Sequence, residues 1–221
     1  MKEIDQNPHD RFPSYVISLS PDEIDYSLFH VHSDSRMSSV MPWDYIQFTT
    51  ILKQILPDYN HDYRILDGTA HIGVESIVLA KTFPNSVLTS VELDSEVYNL
   101  LKQNIEEFGV PITAVNDDFT QFIEKTKENY DILYLDPPWG GRSYEENRRM
   151  MLYLSNIPVY QTIEKTLEES KARKVILKAP FNFDITEFKN NLSQTRKIQV
   201  FEVERKKRGF VKIAFLMISV E

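Results

Sequence analysis

The chain of 221 residues contains no cysteine, which removes disulfides, thiolate metal sites and cysteine nucleophiles from consideration. Its five histidines, His9, His30, His32, His61 and His71, fall into no HExxH or other metal-ligand spacing, so no metal is expected. No apolar run approaches the roughly 18 residues that a membrane span needs. The opening MKEIDQNPHDRFP is too polar for a signal peptide. A soluble intracellular protein of the cytoplasm or nucleus, with no membrane partner, is the expectation. Positive charge is also in deficit: 25 Lys and Arg stand against 33 Asp and Glu, a net charge of −8. That balance argues against wrapping long nucleic acid through a broad basic face. A small nucleotide target needs only a few local cations, and these cluster at Arg148-Arg149, in the run Lys171 to Lys174 and in the run Arg205 to Arg208. Each run also fits an ordinary solvated surface. Internal repeats and low-complexity tracts are missing, and no apolar stripe is left over for self-association, so a monomer is expected.

What is present is a globular composition, 42% hydrophobic and 26% charged. The length suits one buried α/β domain with a small extension. Residues 1–60 form that extension, rich in Asp, Ser, Pro and aromatics, with one helical pattern from Trp43 to Leu56. Residues 61–221 alternate strands and helices. Strands are predicted at Arg64 to Asp67, Ser86 to Leu93, Pro111 to Val115, Asp131 to Asp136 and Lys174 to Lys178. Helices are predicted at Gly73 to Thr82, Ser95 to Phe108 with Gly109 as cap, Phe119 to Lys127, Tyr160 to Ser170 and Ile185 to Leu192. Lys197 to Val203 and Phe210 to Val220 read as a closing hairpin around Lys206-Lys207-Arg208-Gly209. Alternation implies parallel pairing through right-handed crossovers. The hairpin brings the last strand in antiparallel. A mostly parallel seven-stranded sheet with an antiparallel terminal strand resembles the Rossmann-like fold of class I methyltransferases.

In open α/β sheets the ligand lies beyond the carboxyl ends of the strands. The first such loop runs Asp67-Gly68-Thr69-Ala70-His71-Ile72-Gly73. Asp67, Thr69 and Gly73 are candidates for the cofactor there, and small residues let backbone approach a ligand. Glu92 closes the second strand, where a carboxylate bonds the ribose hydroxyls of a nucleoside; Asp94 is the better fit to the cap of the next helix. After the third strand, Asp118 offers a carboxylate for an adenine amino group and Phe119 an aromatic beside the ring; helix capping explains Asp118 equally well. His71, on the cofactor loop, is expected to be a packing residue or a neighbour of the cofactor's methionine carboxylate, not a catalytic base.

Asp136-Pro137-Pro138-Trp139-Gly140-Gly141 is the most specific feature. An amino group conjugated to a nucleobase is a poor nucleophile. The Asp136 carboxylate and a proline-frozen carbonyl at Pro137 can accept its N–H bonds and free its lone pair, in a geometry set before reaction. Trp139 then stacks on the base, and Trp favours a cationic one. This chemistry calls for S-adenosylmethionine as methyl donor.

With these residues the chain resembles the trimethylguanosine synthases, RNA cap guanine 2-amino methyltransferases. Members carry PPWGG followed three residues later by Tyr, which is Tyr144 here. The resemblance implies that Trp139 stacks on 7-methylguanine and Tyr144 meets the cap phosphates. The family's SVTP pattern looks like Ser39-Val40-Met41-Pro42, which makes Ser39 a triphosphate neighbour. Its PRN after the fifth strand looks like Pro180-Phe181-Asn182, which makes Asn182 a candidate. The chain departs from the family at Asp136, where Ser is usual, at Met41 for Thr, at Phe181 for the phosphate-binding Arg, and at His71 for the middle glycine. Arg205, Lys206 and Lys212 are candidates to replace the lost charge. The implied partner is capped RNA or a cap dinucleotide, with the extension, including Phe29 and Trp43, folding over the pocket. Two alternatives remain: an amino methyltransferase for adenine in RNA or DNA or for a protein amide, and a non-catalytic cap-binding module.

Overall fold

The computed structural model describes residues 24–25, 28–31, 42–140, 148–204 and 211–220. In chain order these form α1 (Pro42–Ile55), β1 (Arg64–Asp67), α2 (Val74–Thr82), β2 (Val87–Glu92), α3 (Ser95–Phe108), β3 (Ile112–Asn116), α4 (Phe119–Lys125) and β4 (Tyr130–Leu135). There follow β5 (Tyr153–Leu154), β6 (Ile157–Pro158), α5 (Val159–Glu168), β7 (Ala172–Pro180), α6 (Ile185–Asn190), β8 (Arg196–Glu204) and β9 (Val211–Val220).

The seven-stranded sheet has the order β3-β2-β1-β4-β7-β9-β8. Pairs from β3 through β7 are parallel. The closing hairpin forms as predicted, and β9 enters antiparallel to both β7 and β8. It enters between them, so β8 rather than the last strand forms the edge.

Period-two alternation sends neighbouring residues to opposite faces of the sheet. Ile65, Ile132, Tyr134 and Ile176 join one core with α1, α2 and Phe29. Leu66, Leu133, Leu135, Val175 and Leu177 join the other with α4, α5 and α6. Burial on both faces explains why β1 and β4 read as nearly unbroken apolar runs.

Local chemistry sets the helix limits. The Asp94 side chain accepts from the amides of Glu96 and Val97 at the start of α3, and Gly109 takes φ 58° at its end, as the cap chemistry requires. In α5 the buried residues Val159, Thr162, Ile163, Thr166 and Leu167 mark one face at helical spacing. That helix stops short of the predicted Ser170, because Ser170 takes φ 55°. The amides of Ser170 and Lys171 then return to the carbonyls of Leu167 and Thr166, closing a Schellman cap.

The β5–β6 hairpin is absent from the sequence-based expectation. Ser155 and Asn156 turn it with φ 46° and 68°, both positive as a two-residue type I′ turn demands. Phe29 also differs. It is wholly buried, with its ring 4.4 Å from that of Phe108, and belongs to the core. Next to it Asn104 Oδ1 accepts the His30 amide at 2.7 Å. The Asn104 amide nitrogen donates to the carbonyls of His30 at 3.0 Å and Ile72 at 2.8 Å. This part of the extension is thereby fastened to α3.

Candidate active site

The loop after β1 leaves the sheet between its two neighbours. Gly68 N–H donates to the Tyr134 carbonyl on β4, and Ala70 N–H to the Val91 carbonyl on β2. It then turns through His71 (φ 50°) and Gly73 (φ 89°) into α2. His71 occupies a left-handed conformation that costs a non-glycine residue energy. Its amide donates to Glu92 Oε2 at 2.8 Å, which helps to hold that turn. Burial lowers the His71 pKa; the Glu75 carboxylate opposes the shift and the Lys178 ammonium adds to it.

Asp67 is wholly buried. Its Oδ2 accepts the Ser76 hydroxyl at 2.6 Å and its Oδ1 the Thr69 amide at 3.2 Å. Ser90 donates in turn to the Ser76 hydroxyl at 2.8 Å. Burial pushes the Asp67 carboxyl up to about 7, against the Ser76 bond that lowers it. Asp67 therefore shapes the loop from behind and presents no surface of its own.

Glu92 ends β2 with each oxygen held by one backbone amide, Oε2 by His71 and Oε1 by Asp94 at 2.8 Å. Burial raises its pKa, and those two amides oppose the rise. Each oxygen keeps acceptor capacity beyond its one amide. A fixed, half-buried carboxylate of this kind matches the vicinal hydroxyls of a ribose.

Asp118 caps α4. Its Oδ1 accepts the Thr120 amide at 2.8 Å, and its Oδ2 accepts the Ser155 hydroxyl from the tip of the β5–β6 hairpin. Burial acts to raise its pKa, but the bonds from Ser155 and Thr120 hold it below the usual carboxylate range. Phe119 is buried. A Cβ placed on Gly68 would lie 2.6 Å from the Phe119 ring and 2.8 Å from Leu135, so Gly68 exists to admit that ring.

The second loop follows β4. Asp136 N–H donates to the Thr69 hydroxyl at 2.7 Å, joining it to the first. Pro137 is buried, Pro138 exposed and Trp139 half-buried, the indole packing against both cores. Behind this loop lies a charged group that the sequence reading passed over. Lys178, near the end of β7, is 2% exposed; its ammonium donates to Glu75 Oε1 of α2 at 3.0 Å and to Asp136 Oδ2. The same nitrogen stands 5.7 Å from the Trp139 ring centroid. Burial raises the Asp136 carboxyl to about 6, against the pull of Lys178 and with the push of Glu75. Burial acts to lower the Lys178 pKa, but Asp136 and Glu75 overcome it and hold the lysine protonated. A lysine inside an apolar run such as Lys174 to Lys178 is the hint that a partner waits across the sheet, because an unpaired buried ammonium is prohibitively costly.

Asn182 is buried beyond β7, and its neighbour Phe181 is 49% exposed. Ser39, Tyr144, Arg205 and Lys206 lie outside the described residues, as do the side chains of Lys212 and Trp43. Among the described residues no group of three or more His, Asp or Glu is arranged to hold a metal. No helix there is long and apolar enough to cross a membrane.

Residues 63–220 match the profile of the RNA cap guanine-N2 methyltransferases. An uncharacterized protein of Acanthamoeba polyphaga mimivirus is 31% identical over 143 residues, 64% of this chain and 55% of the relative. The tRNA1(Val) (adenine(37)-N6)-methyltransferase of Flavobacterium johnsoniae is 23% identical over 113 residues, 49% of this chain and 48% of that one. The match thus spans about half the length of these curated relatives. The Thermus thermophilus 16S rRNA N2 G1207 methyltransferase, solved with AdoMet and guanosine, superposes with a TM-score of 0.61 at 15% identity, over 83% of this chain and 44% of that one. The fold is that of Rossmann-like methyltransferases. The chain belongs to the RNA cap guanine-N2 methyltransferase family, and S-adenosylmethionine is the cofactor that this fold and family use.

Proposed function

We propose that this member of the RNA cap guanine-N2 methyltransferase family methylates the exocyclic 2-amino group of 7-methylguanosine in an RNA cap. One observation carries the reading: the Asp136-Pro137-Pro138-Trp139 segment leaves the carboxyl end of β4 and is tied by its first amide to Thr69 of the neighbouring loop at 2.7 Å. The tie brings the base-handling segment beside the loop where the fold receives its cofactor.

Glu92 is the candidate for the ribose, Thr69 and Gly73 for the loop that passes the cofactor, and Asp67 for holding that loop in shape. Asp118 and Phe119 frame the adenine end together with Ser155. Bound S-adenosylmethionine supplies a methyl group already activated on a sulfonium. The chain's own work is orientation. Asp136 and the Pro137 carbonyl accept the two N–H bonds of the amino group and turn its lone pair out of conjugation. Trp139 stacks the base. Asn182, Ser39, Tyr144, Arg205, Lys206 and Lys212 are the candidates for the rest of the cap.

A second reading, adenine amino methylation, draws on the carboxylate at Asp136 and on the adenine-acting relative. A methyl-transfer assay read by mass separates the two. The protein receives S-adenosylmethionine with 7-methylguanosine cap, unmethylated cap and an adenine oligonucleotide in parallel. Added methyl mass on the methylated cap alone supports the cap reading. Mass on the adenine oligonucleotide instead replaces it with the second.

A further inference from the structure

We infer that Lys178 is a positioning residue for methyl transfer: clamped between Glu75 and Asp136, it keeps the Asp136 carboxylate ionised and turned by its Oδ2 away from the acceptor, leaving Oδ1 to take the amino N–H. The inference rests on the proposed role of Asp136 toward an exocyclic amine.

Three placements carry it. Lys178 Nζ bonds Asp136 Oδ2 and Glu75 Oε1 at once, with 2% of its side chain exposed. The remaining described bond of Asp136 is that of its backbone amide to Thr69, so its side-chain contacts among the described residues all fall on one oxygen. The same ammonium lies 5.7 Å from the centroid of Trp139, the ring that the base is to stack on. One cation therefore touches both groups that orient the amine, from the side of the sheet.

Charge explains why the clamp is needed. Asp136 faces Lys178 from β7, Glu75 from α2 and Asp67 from β1. Two of these are carboxyls, and burial adds to their effect. Lys178 is the counterweight, and with it Asp136 titrates at about 6. Without it, desolvation and Glu75 act unopposed, and both push the Asp136 carboxyl further up. A carboxyl raised in this way takes up its proton at a higher pH, and once protonated its hydrogen-bonding oxygen becomes a donor facing an amine that needs an acceptor.

Lys178→Met, Lys178→Arg and the double variant Lys178→Met with Asp136→Asn test this, with thermal midpoints recorded to establish folding. Two readouts are taken. In the first, the Asp136 side-chain carboxyl is titrated by NMR in the ligand-free protein. In the second, kcat is measured from pH 5.5 to 9 on whichever of the 7-methylguanosine cap and the adenine oligonucleotide the wild type methylates. Lys178→Met is expected to move the Asp136 titration up by a unit or more and to cut kcat about 100-fold at pH 7. It should recover toward pH 9, with affinity for S-adenosylmethionine kept within about threefold. Lys178→Arg keeps the wild-type acid limb. The double variant regains the thermal midpoint and loses the acid limb. An unmoved Asp136 titration, or a kcat loss of equal size at every pH, overturns the inference. A wild type that methylates neither substrate removes the amine reading, while the NMR titration still decides whether Lys178 sets the charge of Asp136.

Discussion

Thr69 and Asp136 sit on two loops that leave different strands, yet the Asp136 amide reaches the Thr69 hydroxyl at 2.7 Å. The bond joins into one unit the loop proposed to pass the cofactor and the loop proposed to orient the base. Thr69→Val keeps the shape and removes the acceptor. The expected result is a loss of about 1–3 kcal/mol in stability and about a tenfold lower kcat, with Thr69→Ser restoring both. Urea melts and single-turnover rates measure it. A Thr69→Val enzyme with full kcat removes the coupling.

Glu92 is held by two amides before any ligand arrives, so little ordering is left for binding to supply. Glu92→Ala should weaken S-adenosylmethionine by about 10- to 100-fold, the worth of one or two charge-assisted hydrogen bonds. Calorimetry reads this directly. An unchanged dissociation constant rejects the ribose role.

On its proposed role, Trp139→Ala removes a base-stacking platform worth about 1–3 kcal/mol. Affinity for a 7-methylguanosine cap analogue is expected to fall about 10- to 100-fold, while cofactor affinity stays within twofold. Equal loss of both ligands would point to collapse of the loop instead of loss of stacking.

Asp67 gives a pH signature. Its folded pKa, about 7, lies above its ordinary value of 3.8. The folded state therefore binds the extra proton between those values. Its contribution is complete below about pH 4 and is lost as pH rises through 7. Asp136, raised to about 6, acts in the same sense. Stability of the wild type should decline by a few kcal/mol at most from pH 4 to 7 on account of Asp67. Asp67→Asn should flatten that decline. Urea midpoints at several pH values decide, and an Asp67→Asn protein with the wild-type slope rejects the assignment.

Much of this is legible in the sequence. Asp94, Gly109 and the spacing between them define α3 to the residue, because cap chemistry is local. The Asp136-Pro137-Pro138-Trp139 segment lies just past β4, because two prolines cannot continue a central ladder. The closing hairpin formed with β9 antiparallel, yet its insertion beside β7 was not legible, since strand order is a long-range choice. The β5–β6 hairpin escaped notice because Ser155-Asn156 is a weak turn signal beside Asn-Gly. Lys178 and Glu75 escaped for a related reason: each is one charge in an apolar stretch, and only the packing of β7 against α2 shows that the two meet.

The placement of β9 between β7 and β8 has a consequence for how the protein is made. As the nascent chain leaves the ribosome, β8 emerges with no neighbour to pair with, and β7 presents an open edge. Both stay raw until residues 211–220 follow. Open edges recruit other chains, and intermediates that expose them aggregate. Sheet closure is thus deferred until residues 211–220 have been made, and Lys178, carried on that waiting edge strand, gains its final surroundings only then.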